Sequence, residues 1–229
     1  MQGEILNNNL KDKSVSLAKG IAGAIPIAGA IVSEIISTTI PNQRIDRITT
    51  FIKLLEEKIN ETEKTLLLNN KYTLDIFEDG LFLAARSLSE QRNHYIVNFL
   101  CNELNLTENE YHAKKKLFQI LSDLTELDID ILMAIDDQGI EHAKHVLTPH
   151  PVTIGSYNNM SDSEKYDYDL AKDTFSAYVA TLERFGLIAP ERRLFDPDTI
   201  DNIDEDTALP EIIGYRITDL GYIFIKSIS

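Results

Sequence analysis

The residues whose types and spacing come nearest to a metal site are Glu141, His142, His145 and His150. Two histidines three positions apart share one face of a helix, and a neighbouring carboxylate would complete the nitrogen and oxygen ligands that zinc accepts. A helical zinc protease instead needs His-Glu-x-x-His, with its histidines four positions apart. Both the order and the spacing differ here, so we predict exposed histidines and no bound metal.

A second set of candidate ligands is an acidic segment near the C-terminus, which contains Asp196, Asp198, Asp201, Asp204, Glu205 and Asp206. Oxygen ligands of this kind suit calcium, but an EF-hand loop needs glycine at its sixth position and glutamate at its twelfth. Neither residue falls at the required position in this segment. We therefore interpret the segment as a solvated acidic loop.

The sequence contains none of the motifs that arrange a nucleophile or a phosphate group. No glycine-rich loop ends in Lys-Ser or Lys-Thr, and no Gly-x-Ser-x-Gly pentapeptide occurs. The one cysteine, Cys101, lies in the apolar run IVNFLCNEL without a basic neighbour to activate its thiol. We predict that it is a small buried hydrophobe, and we predict no catalytic activity and no cofactor.

The most unusual segment is GIAGAIPIAGAIV, residues 20–32, which has no charged side chain between Lys19 and Glu34. Small residues recur in it at four-residue spacing, and such a helix lets a second backbone approach closely, as helices do in lipid. We predict that the positions which pair helices or contact membrane are Gly20, Gly23, Ala24, Pro26, Ala28, Gly29, Ser33 and Glu34.

The same segment also has a simpler interpretation as a buried core helix. It is shorter than the roughly 20 apolar residues that a membrane span needs, and Pro26 would kink or divide it. Extension to Ile40 gives the length of a span but includes the carboxylate of Glu34. We do not expect it to be a cleaved signal peptide, because the residues after it are still apolar. Both interpretations stay open.

Charge is distributed unevenly along the chain, whose formal net charge is −15. Residues 1–104 contain 11 cationic and 13 anionic side chains, a balance of −2, whereas residues 105–229 contain 11 and 24, a balance of −13. An acidic body of this kind repels nucleic acid, whose binding depends on cationic contacts to phosphate, and it repels anionic lipid in the same way. We predict two domains, residues 1–104 and 105–229, and we do not expect a nucleic-acid partner.

Helical periodicity dominates the first domain, which we predict to be a helical bundle. The helices that we expect there cover residues 15–40, a segment that begins near Gln43, residues 73–87 and residues 89–104. Pro41 should end the first of them. Ser87 and Glu90 have the spacing of a capping box at the start of the last one.

The second domain has the outline of a winged helix, so the predicted fold is mainly α with a small α+β C-terminal part. Thr107 with Glu110, and Ser161 with Glu164, should cap helices that reach about Ser122 and Phe185, with Gly186 ending the second. Residues 149–160 should be a loop. The strands that we expect are Leu187–Ile188, Arg193–Phe195 and Ile212–Ile217, followed by a helix that Thr218 caps.

Three segments carry a resemblance to a known family: FQILSDLTELDIDILMAID, TLERFGLI and YRITDLGYIFIKSI. Their layout resembles the C-terminal domain of bacterial abortive-infection proteins of the alpha type. The chain is also similar to uncharacterised bacterial proteins with a glycine-rich helix followed by IPNQR and FEDG segments, which are matched here by Ile40–Arg44 and Phe77–Gly80. The resemblance covers most of residues 20–229.

The resemblance implies an antiphage effector that acts on membranes or arrests growth. We therefore expect a cytoplasmic protein that associates with itself through the segment at residues 15–40 and joins the membrane when activated. The alternative from a different class is a soluble regulatory or protein-interaction protein, with a winged helix and a dimerising helical bundle. A protein partner is expected in either case.

Overall fold

A computed structural model of the chain describes residues 44–147, 154–193 and 212–229. Within these ranges the chain is mainly helical and carries one two-stranded antiparallel sheet near the C-terminus, as the sequence predicts. The predicted helix over residues 15–40, with all eight of its candidate positions, lies outside the described residues. No helix within the described ranges has the length and the apolar composition to cross a membrane.

The chain divides into two compact units. The described residues of the first unit are 44–122 and 227–229, and those of the second are 123–147, 154–193 and 212–226. The division by contacts therefore lies after Ser122, further along the chain than Leu104, where the sequence analysis places its boundary.

The first unit is built from α1 (Ile45–Lys58), α2 (Glu61–Asn69), α3 (Lys71–Arg86), α4 (Glu90–Cys101) and most of α5 (Glu108–Asp123). Its core contains two pairs of phenylalanine rings. The centroids of Phe51 and Phe77 are 6.5 Å apart, and those of Phe99 and Phe118 are 5.4 Å apart in an edge-on arrangement. All four rings are buried, so aromatic and aliphatic burial is the main stabilising term of this unit.

Local capping chemistry places the helix starts in this unit, and it corrects two predictions. The predicted Ser87 cap is wrong, because it is the Ser89 hydroxyl that accepts from the Arg92 N–H at 3.1 Å. The long helix expected after Gln43 is interrupted after Lys58, where the Asn60 side chain caps α2. An aspartate or asparagine at such a position competes with the helix by accepting backbone N–H bonds.

The second unit begins with α6 (Glu126–Gln138), a single turn α7 (Ile140–Ala143) and a 3-10 turn (Lys144–Val146). It continues with α8 (Ile154–Asn158), the long α9 (Asp162–Arg184), strands β1 (Ile188–Arg192) and β2 (Ile212–Ile217), and α10 (Asp219–Ile228), whose last two residues belong to the first unit. The prediction of a loop over residues 149–160 is wrong for α8. Of the strand predicted at Arg193–Phe195, Arg193 follows the end of β1 at Arg192, and the other two residues lie outside the described residues.

The ends of α9 follow the sequence-based prediction closely. Ser161 and Glu164 form a reciprocal capping box, in which the Glu164 carboxylate accepts from the Ser161 N–H at 2.8 Å. Gly186 has a φ of +71°, a left-handed conformation that favours glycine over other residues. The turn at Gly186 leads directly into β1, so it determines where the sheet begins.

The two strands pair in antiparallel register, with Ile188 opposite Ile217 and Glu191 opposite Gly214. The register then shifts, because Arg192 lies opposite Ile212. Ile213 is therefore the extra residue of a β-bulge in β2. Bulges redirect side chains at sheet edges, and this one lies beside a cleft that the N-terminal part of β2 lines.

Candidate binding cleft

An open cleft of about 370 Å³ lies within the second unit. Three elements form its walls: one face of α9, the turn that starts with α7, and the N-terminal part of β2. The lining residues on α9 are Tyr168, Ala171, Lys172, Phe175, Ser176, Val179, Ala180 and Glu183. The other walls are Ile140, Glu141, Lys144 and the four β2 residues at 212–215.

The α9 wall is a single helical face with an apolar centre and polar ends. Residues three and four positions apart on a helix lie above one another, which aligns Lys172, Phe175, Val179 and Glu183. Phe175 and Val179 are buried, with 8% and 6% of their surfaces exposed. Burial of these two side chains holds the helix in place, so the floor of the cleft is preformed.

The β2 wall is more open. Ile213 has 58% of its surface exposed and Ile212 has 39%, which is unusual for two adjacent isoleucines in a strand. Apolar side chains that water can reach beside a preformed concave surface are typical of binding sites for a partner. The cleft thus offers apolar area that folding itself has left uncovered.

Four of the residues that line the cleft are charged. Lys144 and Glu141 form an ion pair of 2.6 Å on the rim. The pKa of the Tyr215 phenol is raised by partial burial and then by the nearby Glu183 carboxylate. Glu183 therefore lies at the Tyr215 end of the cleft, and Lys172 lies three helical turns before it on α9. This arrangement can bind a ligand that is apolar in its middle and charged at its ends.

Two of the three histidines considered in the sequence analysis lie within the described residues. His142 is exposed on α7, His145 is in the 3-10 turn, and their ring centroids are 6.0 Å apart. His150 lies outside the described residues, as do the acidic residues 196–206. Among the residues that the structure does describe, no three His, Cys, Asp or Glu side chains are grouped to hold a metal ion.

Cys101 is at the end of α4 and is only partly covered, whereas the sequence analysis predicts a buried residue. Desolvation by its surroundings raises the pKa of its thiol above the usual value. A raised pKa leaves little thiolate near neutral pH, so the residue is poorly suited to nucleophilic chemistry.

A charged network on the first unit was missed by the sequence analysis. The Lys115 ammonium contacts the carboxylates of Asp75 and Asp79, the second at 2.6 Å, and the Tyr111 hydroxyl donates to Asp75 at 2.9 Å. The i, i+4 spacings of Asp75 with Asp79 and of Tyr111 with Lys115 are visible in the sequence. Only the packing of α3 against α5 shows that the two pairs meet.

Comparisons of the chain with protein-family models, with curated proteins and with solved structures found no match. The resemblance to abortive-infection proteins therefore stays a prediction from the sequence, and the cleft is interpreted from its own geometry.

Proposed function

We propose that this chain is a non-catalytic antiphage effector of the abortive-infection type, whose C-terminal unit binds a protein partner in the cleft. The observation that carries the binding role is the exposure of Ile212 and Ile213 beside the preformed α9 wall. A partner that covers them gains free energy by removing apolar surface from water, about 25 cal/mol per Å².

In this proposal the second unit is a winged helix. The order of elements supports the assignment, since α6, the short helices α7 and α8, and then α9 precede the β1–β2 strand pair and a closing helix. The first unit is assigned as a helical bundle, with Phe51, Phe77 and Phe99 in its centre. Winged helices serve as protein-interaction modules as well as nucleic-acid readers, so the surface and not the fold decides the partner.

The surface of α9 favours a protein partner over nucleic acid. Six exposed carboxylates lie along this helix, against three cations. Phosphate binding needs the opposite balance. The cleft itself is apolar between two charged ends, a pattern that suits a protein segment.

The membrane-acting part of the proposal rests on the sequence of residues 20–32. Small residues at four-residue spacing allow close helix pairing, in lipid or between two copies of the chain. We propose that partner binding in the second unit controls whether this segment is available. The segment then acts on the cytoplasmic membrane and stops the growth of the infected cell.

A pair of substitutions on α9 tests the binding role. Ala180 lines the cleft and Ala177 does not, and both are exposed positions of the same helix. A bacterial culture that expresses the chain should survive a challenge with a panel of phages. The Ala180→Arg variant should lose this protection, whereas the Ala177→Arg variant should retain it. Loss of protection in both variants, or in neither, would contradict a role for the cleft.

Leakage of dye from vesicles tests the membrane role separately from the soluble alternative. Vesicles of bacterial lipid composition should leak when the purified chain is added, and a Gly29→Leu variant should reduce the leakage by blocking close helix approach. A chain that stays wholly soluble and leaves vesicles intact, while still binding its partner through the cleft, would favour the regulatory protein instead.

A further inference from the structure

We propose that the partner occupies the cleft as an extended peptide strand that pairs with the open edge of β2, with a cationic residue towards its N-terminus and an acidic residue towards its C-terminus. This inference rests on the proposed protein-binding function and specifies how the cleft is used. Three features of the structure carry it: the hydrogen-bonding phase of β2, the length of the cleft and the positions of its two end charges.

The phase of the β1–β2 ladder shows which backbone groups of β2 point away from β1. The Thr218 N–H donates to the Leu187 carbonyl at 3.0 Å, which makes the flanking pair Ile188–Ile217 a pair without mutual hydrogen bonds. The pair Pro190–Tyr215 is two positions further along the ladder, so it also lacks mutual hydrogen bonds. Such a position accommodates Pro190, because proline has no N–H to donate. The N–H and C=O groups of Tyr215 therefore point away from β1.

The same edge borders the cleft. In the described part of the chain, no backbone or side-chain group bonds to the Tyr215 amide or carbonyl on that side. Gly214, whose own N–H and C=O groups point towards β1, lines the cleft together with Tyr215, so a ligand in the cleft can approach the β2 backbone beside the outward-pointing groups of Tyr215. An unpaired edge with accessible N–H and C=O groups is a template for an added strand.

The dimensions match a short strand. Lys172 and Glu183 are eleven positions apart on α9, which corresponds to about 16 Å along the helix axis. An extended peptide advances about 3.4 Å per residue, so about five residues span this distance. In such a strand the first, third and fifth side chains point to one face. That face can direct a charge at each end and an apolar side chain at Phe175 and Val179.

The orientation follows from the chain path. Ile217 pairs with Ile188, which closely follows the C-terminus of α9, so the C-terminal end of β2 lies beside the Glu183 end of the helix. Ile212 then lies towards Lys172. A partner strand antiparallel to β2, the slightly more stable pairing, begins beside Glu183 and ends beside Lys172. Charge complementarity thus requires a cation first and a carboxylate last.

The probe is a synthetic acetylated and amidated peptide, Thr-Lys-Thr-Ile-Thr-Glu-Thr. Titrated into ¹⁵N-labelled full-length protein, it should shift the amide resonances of Ile213, Gly214 and Tyr215 more than those elsewhere. Two control peptides exchange the Lys with the Glu, or carry N-methyl groups on the Lys, Ile and Glu amides. Each should bind about tenfold more weakly, since each loses one or two charge-assisted or backbone hydrogen bonds.

A charge exchange in the protein provides the matched test. The double variant Lys172→Glu with Glu183→Lys should prefer the exchanged peptide by a similar factor, and both positions are exposed and need not disturb the core. Equal binding of the N-methylated peptide would overturn strand pairing. An unchanged preference in the double variant would overturn the assigned charges and direction.

The outcome separates this inference from the proposed function. No resonance shift with any peptide at about 1 mM, which excludes even weak affinity, overturns strand addition. If Ala180→Arg still abolishes phage protection while Ala177→Arg does not, the cleft keeps its role and only the mode of binding is wrong. If the peptide binds as described but Ala180→Arg leaves protection unchanged, the strand-pairing inference is retained and the proposed role of the cleft in phage protection is wrong.

Discussion

Gly221 lies against the backbone carbonyl of Leu187 so closely that a Cβ at this position would overlap the oxygen. The same carbonyl accepts the Thr218 N–H, and the Thr218 hydroxyl accepts the Gly221 N–H at 3.0 Å while it donates to the Gly186 carbonyl at 2.6 Å. The start of α10 is thereby joined to the turn that follows α9. Contacts within the second unit thus explain why the chain has the sequence Thr-Asp-Leu-Gly at residues 218–221.

Replacement of this glycine should destabilise the protein. Gly221→Ala forces its methyl group into the Leu187 carbonyl and the Ile217 side chain, and overpacking of this kind costs about 1–3 kcal/mol. The measurement is the urea midpoint of unfolding, followed by circular dichroism. The control Ile223→Ala removes an exposed side chain of the same helix and should change the midpoint little. Equal midpoints for Gly221→Ala and the wild type would show that α10 shifts freely.

The Lys115 network should contribute stability over a defined range of pH. Burial alone would raise the pKa of Asp75, but hydrogen bonds from Lys115 and Tyr111 outweigh it and lower that pKa below its usual value. Burial would lower the pKa of Lys115, and hydrogen bonds to Asp75 and Asp79 outweigh it and raise it. A lowered acid pKa gives stability that is present above about pH 4, the unfolded value, and is lost as the pH falls through the folded value. A raised lysine pKa gives stability that is present below about pH 10 and is lost as the pH rises further.

Lys115→Met tests this window. The variant should be less stable than the wild type by up to about 1 kcal/mol near pH 7, a value that is limited by the exposure of both carboxylates. The difference should shrink towards both ends of the pH range, as measured by urea unfolding from pH 3 to 11. Lys116→Met, at the exposed neighbouring position, should show no such profile. A constant difference at every pH would mean that packing and not charge is responsible.

Lys114 should show a pH dependence of the opposite sign. Its ammonium donates to the Glu103 carbonyl at 2.9 Å and lies 5.4 Å from the centre of the Phe99 ring, and desolvation there lowers its pKa to about 8. Between about pH 8 and 10.4 the unfolded chain binds a proton that the folded chain has released, so the stability of the wild type rises with pH. Relative to Lys114→Met, the gain over this range should reach up to about 3 kcal/mol. A flat profile in unfolding experiments would show that the ammonium stays charged and hydrated.

Features that depend on a few adjacent residues could be predicted from the sequence. The Ser161–Glu164 capping box and the glycine at position 186 determined both ends of α9 correctly, because capping is decided within one helical turn. The interruption before Asn60 was missed, since the apolar spacing of Ile52, Leu55 and Ile59 continues through it. Ser87 and Ser89 offer equivalent hydroxyls two positions apart, and only the backbone geometry selects Ser89.

The cleft could not be predicted in the same way. Its walls come from three segments that are far apart in the chain, and periodicity shows that Phe175 and Val179 face inward without showing what lies beside them. The bulge at Ile213 depends on pairing with β1, so the exposure of two adjacent isoleucines has no local signature. The same holds for the contacts of Lys115 with α3.

Glu34 offers a test of the membrane proposal that does not involve the cleft. If residues 15–40 insert in lipid, this carboxylate opposes insertion by about 2.5–3.5 kcal/mol at the centre of the bilayer. Glu34→Leu should therefore move the protein from the soluble towards the membrane fraction of cell lysates. Glu4→Leu is a control that removes a charge outside the apolar stretch and should leave the distribution unchanged. An equal distribution for all three proteins would favour a permanent core helix.

Duplex DNA should bind this chain only weakly and without sequence preference at physiological salt, although the proposed winged-helix assignment would ordinarily suggest otherwise. The helix that would enter the major groove is α9, and its exposed carboxylates outnumber its cations by six to three. Binding to DNA is driven by cationic side chains that contact phosphates and release their counterions. A carboxylate that no cation neutralises repels the phosphates and so weakens this binding. The basic pair Arg192 and Arg193, at the end of β1, is too small to reverse this balance.

A gel-shift titration with random and genomic fragments measures this directly. We expect no saturable complex at physiological salt, and only diffuse retardation at low salt, because the few cationic contacts are screened. Tight, saturable binding that Arg192→Ala with Arg193→Ala abolishes would contradict the prediction. The chain would then be a transcriptional regulator with the first unit as its dimerisation domain, and the cleft beside β2 would have to be explained as part of its dimer or effector site. Binding that survives this double substitution would show that other residues contact the DNA. The slope of the affinity against salt concentration would then give the number of phosphates that the protein contacts.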